Sequence, residues 1–264
     1  MNEPVRTLLT GATGSLGREL RPRLHRAGHD VRATSRSPPS ETDDHAEWVT
    51  FDLKDGTGLS DAVTGIDVVV HAASAPRGDS EAVDVRGTER LLEAAATAGV
   101  SNFVYVSIVG VDEIPYSYYE HKRAAERIVE RSPVPATIVR ATQFHEFVFG
   151  LLDGLSWAPI WPLPIDFQMQ PIETGEAAAA IVDRATLEPA GWVPPVGGPE
   201  VRTVGELARA YRDSRSARRP IVPVPVPGAI ARGFRAGEAT CPERTMGSVT
   251  WKQWLEKTKT DSEQ

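Results

Sequence analysis

Residues 10–17 read Thr10-Gly11-Ala12-Thr13-Gly14-Ser15-Leu16-Gly17. An apolar run over 5–9 precedes them and predicts a β-strand; 18–27 follows and predicts a helix. A glycine run points to a phosphate site when it lies between a strand and a helix. Glycine lets the chain turn tightly and lets a diphosphate approach without a Cβ in the way. The free amides of the helix start, aided by the helix dipole, face the anion. Gly11, Thr13, Gly14, Ser15, Leu16 and Gly17 are therefore the first candidate binding residues, and Gly-x-x-Gly-x-x-Gly is their spacing.

Moving outward from that stretch, 30–35 alternates and predicts a second strand. Its end is Thr34-Ser35-Arg36-Ser37. A dinucleotide fold that prefers NAD usually places a carboxylate here, on the ribose 2′-hydroxyl. This chain has none. Arg36 offers forked donors and a permanent charge, which suit a 2′-phosphate. Ser35 and Arg36 thus favour NADP(H) over NAD(H) as the cofactor. Pro38-Pro39 then predicts a loop. A third strand is expected over 48–51, ahead of Asp52-Leu53, and a fourth over 67–71. Val68-Val69-Val70 is a continuous apolar run of the kind buried parallel strands show. It leads into His71-Ala72-Ala73-Ser74. The small residues Ala72, Ala73 and Ser74 leave room for a cofactor at the strand end, and His71 reads as a packed, hydrogen-bonded histidine.

An Ala- and Leu-rich helix is expected over 83–98, closed by Gly99. A fifth strand over 103–107 ends at Ser107. Ser117 and Glu120 form a Ser-x-x-Glu capping box, which predicts a helix start. Tyr118 and Lys122, four residues apart, then share one face of that helix. A sixth strand over 136–140 leads into Ala141-Thr142-Gln143-Phe144. Phe144, Phe147 and Phe149 also read as a core-facing stripe.

From residue 150 the texture changes. The segment over 157–164 is rich in aromatic residues and proline and cannot be a regular helix. So apolar a loop is expected to cover the core edge or a pocket. Short strands are expected over 168–172 and 192–196, an extended segment or edge strand over 221–227, and helices over 174–184, 207–212 and 250–257. The helix over 207–212 opens on a Thr203/Glu206 capping box. A polar tail follows from residue 258.

Composition bounds the function classes. The chain has 264 residues and a net charge of −7, which disfavours a nucleic-acid-binding surface. One cysteine, Cys241, rules out an intrachain disulfide framework and suits a reducing compartment. No apolar run approaches a membrane span, no secretory pattern is evident, and no Cys/His set has metal-ligand spacing. The expectation is a cytoplasmic protein without a metal, a monomer or small homo-oligomer acting on a small molecule.

The glycine spacing and the Tyr118–Lys122 pair resemble the extended and atypical short-chain dehydrogenase/reductases, and among them the NmrA-like branch. The resemblance is strong to about Phe144 and looser beyond. It implies that Lys122 binds the nicotinamide ribose and lowers the tyrosine pKa, and that Tyr118 exchanges a proton with a carbonyl oxygen. It places Asp52 and Leu53 beside the adenine. The loop Ala141, Thr142, Gln143 and Phe144 would pass under the nicotinamide. Ser107 lies where the family keeps a catalytic serine or its neighbour.

The chain also departs from the pattern. Asp84 replaces the usual Asn and Ala141 a proline, and Ile108 stands where the epimerases have a hydroxyl. Only 11 positions separate Ser107 from Tyr118, as in NmrA-like members, which often keep the lysine without a catalytic tyrosine. Tyr116, Tyr119 and His121 are fallback donors.

The expected fold is a Rossmann-like doubly wound α/β sheet: an NAD(P)-binding domain over 1–149, joined by 173–187, and a mainly substrate-binding lobe over 150–264. The expected function is an NADP(H)-dependent oxidoreductase acting on a small, mostly apolar carbonyl or quinone. The alternatives are a non-catalytic NADP(H)-binding redox sensor and, third, a sugar-nucleotide epimerase or dehydratase.

Overall fold

Strand β1 (Arg6–Thr10) is buried from its second residue onward and carries the glycine stretch at its C-terminal end. The computed structural model describes residues 3–37, 45–216 and 218–262; the Pro38-Pro39 loop lies outside the described residues. After β1 the chain forms α1 (Ser15–Arg26), β2 (Asp30–Ser35), β3 (Glu47–Thr50), α2 (Leu59–Val63) and β4 (Val68–His71). A π-helical segment (Glu81–Gly87) runs into α3 (Thr88–Ala98), then β5 (Asn102–Ile108), α4 (Ser117–Arg131) and β6 (Ala136–Ala141). The remainder gives α5 (His145–Asp153), β7 (Trp161–Leu163), β8 (Gln168–Met169), α6 (Thr174–Val182), β9 (Gly191–Trp192) and β10 (Arg202–Thr203). It ends in α7 (Val204–Ser214), β11 (Ile221–Pro223), α8 (Ala229–Ala236) and α9 (Trp251–Ser262).

The chain divides into two compact units. The first is Met1–Ser107, Ser117–Arg140 and Ala177–Pro194; the second is Ile108–Tyr116, Ala141–Glu176 and Pro195–Gln264. The first unit is built on a seven-stranded parallel sheet in the order β3-β2-β1-β4-β5-β6-β9. The chain winds outward from β1 in one direction and then returns to start again at β4, so the strand order reverses between β1 and β4. In such sheets the ligand crevice lies outside the carboxyl ends of the strands at that point. Leu8, Val69, Leu91, Phe103 and Tyr105 fill the core, and each such side chain contributes about 2 kcal/mol through burial.

The second unit has its own core of Trp161, Met169, Leu207, Tyr211 and Trp254. It holds two small sheets, β7 with β11 in parallel and β8 with β10 antiparallel. Thr203 and Glu206 form the capping box of α7. The apolar 157–164 segment splits in role: Trp161 is buried in this core, whereas Trp157 is 80% exposed.

Several elements differ from the sequence expectation. Helix α1 begins at Ser15, so Ser15, Leu16 and Gly17 form its first turn. The expected helix over 83–98 is π-helical up to Gly87. Strand β11 stops at Pro223, because the prolines at 225 and 227 have no N–H for a ladder. The last helix continues through the polar tail to Ser262. Neither α2 nor α8 was expected.

Candidate functional site

The carboxyl ends of β1 and β4 are adjacent, with Thr10 in register with His71. Gly11 follows with φ +71°, and a Cβ there would come within 2.7 Å of the Ala73 backbone. Glycine is required on both counts. Gly17 is equally constrained, since its Cβ would lie 2.1 Å from the Gly11 carbonyl oxygen. Gly14 is different. It is exposed, with ordinary φ and ψ, and away from its chain neighbours a Cβ would meet only the Gly11 oxygen, at 3.3 Å. Packing does not fill the space in front of Gly14. It is also the N-cap of α1, without a side-chain cap, and the first turn has no acidic residue. The amides there are open to an anion. Thr13 and Ser15 are exposed beside it, while Leu16 turns into the core.

Hydrogen bonds fix the strand ends. His71, fully buried, lies 2.6 Å from Thr10 Oγ1 through Nδ1 and 2.9 Å from Thr88 Oγ1 through Nε2. Thr88 donates its proton to the Asp84 carbonyl at 2.7 Å, so it accepts from His71 Nε2–H. Nδ1 then accepts from Thr10, whose oxygen in turn accepts from Ala73 N–H at 3.3 Å. This arrangement holds His71 neutral. Burial, reinforced by the Lys122 charge, depresses its pKa to about 3. His71 thus secures the ends of β1 and β4.

Four of the sequence-predicted or neighbouring residues meet in one chain. Ser74, exposed and three residues past β4, donates to Asp84 Oδ1 at 2.6 Å. Its oxygen lies 2.7 Å from the Tyr118 hydroxyl. Asp84 is fully buried in the π-helical segment and also accepts from Ala75 N–H at 3.0 Å. Lys122 Nζ stands 3.7 Å from Asp84 Oδ1 and donates to the Val106 carbonyl at 2.8 Å. The ammonium also sits 4.2 Å from the centre of the Tyr105 ring. Burial lowers the Lys122 pKa, while Asp84 and Glu126 oppose the shift. The helical spacing of Tyr118 and Lys122 therefore brings both to one network.

Sequence reasoning missed Asp84, which it took as part of a structural helix. The π-helical turn, of a kind frequent at functional sites, is what aims it at Ser74.

The other candidates are placed as follows. Ser107 is buried at the end of β5, and its hydroxyl has no hydrogen-bond partner among the described residues. Arg36 is exposed just past β2, and Ser35 Oγ donates to the Ser37 carbonyl. Asp52 caps a tight turn by accepting from Lys54 N–H, and Leu53 is buried. Among the fallback donors, Tyr119 is buried, Tyr116 is exposed, and His121 pairs with Ser80 Oγ at 2.8 Å. Ala141, Thr142, Gln143 and Phe144 belong to the second unit. Within it Gln143 donates to the Ala239 carbonyl and accepts from Gln170 N–H, so its amide is structurally engaged. The three phenylalanines do not form one stripe, since Phe147 is exposed while Phe149 packs on Tyr211 and Trp254. Among the described residues no group of His, Cys, Asp and Glu is arranged to hold a metal ion, and no helix is long and apolar enough to cross a membrane.

A family model described as NAD(P)H-binding matches residues 11–147, just over half of the chain. The chain belongs to this NAD(P)H-binding family. The match supports the resemblance to atypical short-chain reductases. An uncharacterized protein of Mycobacterium tuberculosis is 28% identical over 224 residues, 84% of this chain and 24% of its own length. The (4-alkanoyl-5-oxo-2,5-dihydrofuran-3-yl)methyl phosphate reductase of Streptomyces griseus is 35% identical over 156 residues, 58% of this chain and 50% of its own. This NAD(P)H-binding chain thus spans about a quarter to a half of the length of these relatives.

Solved structures share the fold. The NADPH-dependent quinone oxidoreductase of Escherichia coli, complexed with NADPH, superimposes with a TM-score of 0.79 at 16% identity, over 96% of this chain and 99% of its own. MoeE5 in complex with UDP-glucuronic acid and NAD gives 0.75 at 19% identity, over 97% and 99%.

Proposed function

We propose that this protein is an NADP(H)-dependent oxidoreductase acting on a small, mostly apolar carbonyl or quinone compound. The observation that carries the reading is the hydroxyl of half-buried Tyr118, linked through Ser74 and Asp84 to the buried Lys122, in the same unit as the glycine turn. The 35% identity to a named reductase supports an oxidoreductase over a sugar-nucleotide enzyme. The exposed apolar Trp157 and Ile160 of the second unit motivate an apolar substrate and a substrate-binding role for that unit.

The residues present fit the cofactor. The space before Gly14 and the uncapped start of α1 suit its diphosphate. Arg36 suits the 2′-phosphate, and the absence of a carboxylate at the end of β2 favours NADP(H). Asp52 and Leu53 would border the adenine, and Ala72 and Ala73 the crevice floor. Lys122 has three donors, of which Val106 takes one and Asp84 faces another, leaving one for the ribose. When bound, the cofactor supplies or accepts a hydride. Tyr118 is assigned the proton: its hydroxyl gives one to the carbonyl oxygen in reduction and receives one in oxidation.

Steady oxidation of NADPH by any member of a panel of small quinones and aryl aldehydes tests this. Turnover lost in Tyr118→Phe and Lys122→Ala is the expected result. A second reading, a non-catalytic NADP(H) sensor, is favoured by Ile108 at the end of β5, where a donor hydroxyl is missing. NADPH binding with no oxidation across the panel would select it.

A further inference from the structure

The Ser74 hydroxyl has one proton, and Asp84 Oδ1 receives it at 2.6 Å. Toward Tyr118, Ser74 therefore acts as an acceptor, and Tyr118 O–H is the donor across 2.7 Å. The direction of the chain is thus set: Tyr118 to Ser74 to Asp84. We propose that Ser74 and Asp84 form a proton relay behind Tyr118, with Ser74 supplying the hydroxyl that Ile108 at the end of β5 cannot. The inference rests on the oxidoreductase reading and deepens it.

The steps balance. In the oxidative direction the substrate hydroxyl gives its proton to the Tyr118 oxygen. Tyr118 passes its own proton to Ser74 Oγ, and Ser74 releases its own to Asp84, which becomes a neutral carboxyl. After oxidation Asp84 returns that proton to solvent through the exposed Ser74; in the reductive direction Asp84 first takes a proton from solvent by the same route, and each transfer then reverses. No O–H bond is left unpaired and no further co-reactant is needed. Ser107 cannot take this role in the observed arrangement, since its buried hydroxyl meets no partner among the described residues.

An amide in place of Asp84 would donate as well as accept, and could not end a proton path as a carboxylate does. Among the described residues, the charged and titratable groups facing the chain include Tyr119, Lys122 and Glu126 on α4, Tyr105 on β5 and neutral His71 on β4. While Asp84 is ionised, it and Lys122 offset each other's charge, so neither buried group stands as an isolated charge. Ser74 and Asp84 are positioning residues, acting through Tyr118.

The test combines carbon-13 NMR of Cζ-labelled tyrosine, assigned with Tyr118→Phe, and kinetics with NADPH and the most active panel compound. Asp84→Asn is isosteric and preserves packing; Ser74→Thr keeps a hydroxyl. The relay predicts that Asp84→Asn lowers the Tyr118 ionisation midpoint by about one pH unit, because a neighbouring negative charge has been removed. It predicts that Ser74→Ala lowers kcat about tenfold or more with the KM for NADPH little changed, and that Ser74→Thr restores it. An unmoved midpoint in Asp84→Asn, with full turnover in Ser74→Ala and none in Tyr118→Phe, would overturn the relay and leave the oxidoreductase reading standing. Full turnover in Tyr118→Phe would overturn Tyr118 as the acid, and the relay with it.

Discussion

The Cβ that Gly17 lacks would sit 2.1 Å from the carbonyl oxygen of Gly11, whereas one on Gly14 would clear the same oxygen by 3.3 Å. Two glycines of one motif thus answer to different constraints, one to packing of α1 on its own turn and one to what approaches from outside. Gly17→Ala should destabilise the protein by more than about 2 kcal/mol, as overpacking against backbone does. Gly14→Ala should keep stability within about 1 kcal/mol and weaken NADPH binding. Urea denaturation and cofactor titration of both variants separate the effects; equal stabilities would contradict this division.

His71 makes stability depend on pH. Its pKa is about 3 when folded, against an ordinary value of 6.5. The neutral ring contributes stability that is fully present above pH 6.5 and is lost as pH falls toward 3, because the unfolded chain takes up a proton that the folded one refuses. Burial also depresses His29 and His145, which act in the same direction. His71→Gln should reduce the slope of unfolding free energy against pH in that window by up to about 1.4 kcal/mol per unit. An unchanged slope would contradict the buried neutral assignment.

Glu126 is fully buried and accepts from Arg140 Nε at 2.8 Å and Nη2 at 2.7 Å, and from Arg123 at 2.9 Å. Removing Arg140 takes two hydrogen bonds from a buried carboxylate that keeps its bond from Arg123. Arg140→Met should destabilise by about 3 kcal/mol, and adding Glu126→Gln should recover part of it. A loss below about 1 kcal/mol in urea unfolding would mean that Arg123 and water suffice.

Much of this was legible in the sequence. The glycine spacing between a strand and a helix, the apolar Val68-Val69-Val70 run and the Tyr118–Lys122 interval each encode local geometry, and local geometry is what residue order dictates most directly. Asp84 was not legible, because its role depends on a π-helical turn and on Ser74 ten residues away. The short strands expected over 168–172 and 192–196 were overestimated for a related reason. The two-residue lengths of β8 and β9 are set by tertiary pairing rather than by propensity. Trp157 and Trp161 share a composition and yet have opposite exposure, which no periodicity distinguishes in so short a segment.

The first unit is proposed to bind NADP(H) through the glycine turn and Arg36. Calorimetric titration of wild type and Arg36→Ala with NADPH and with NADH tests it most directly. NADPH should bind more tightly than NADH, and the preference should collapse in Arg36→Ala while NADH binding is kept. Equal or tighter NADH binding by the wild type would contradict the assignment of Arg36, and binding of neither nucleotide would contradict the cofactor site itself.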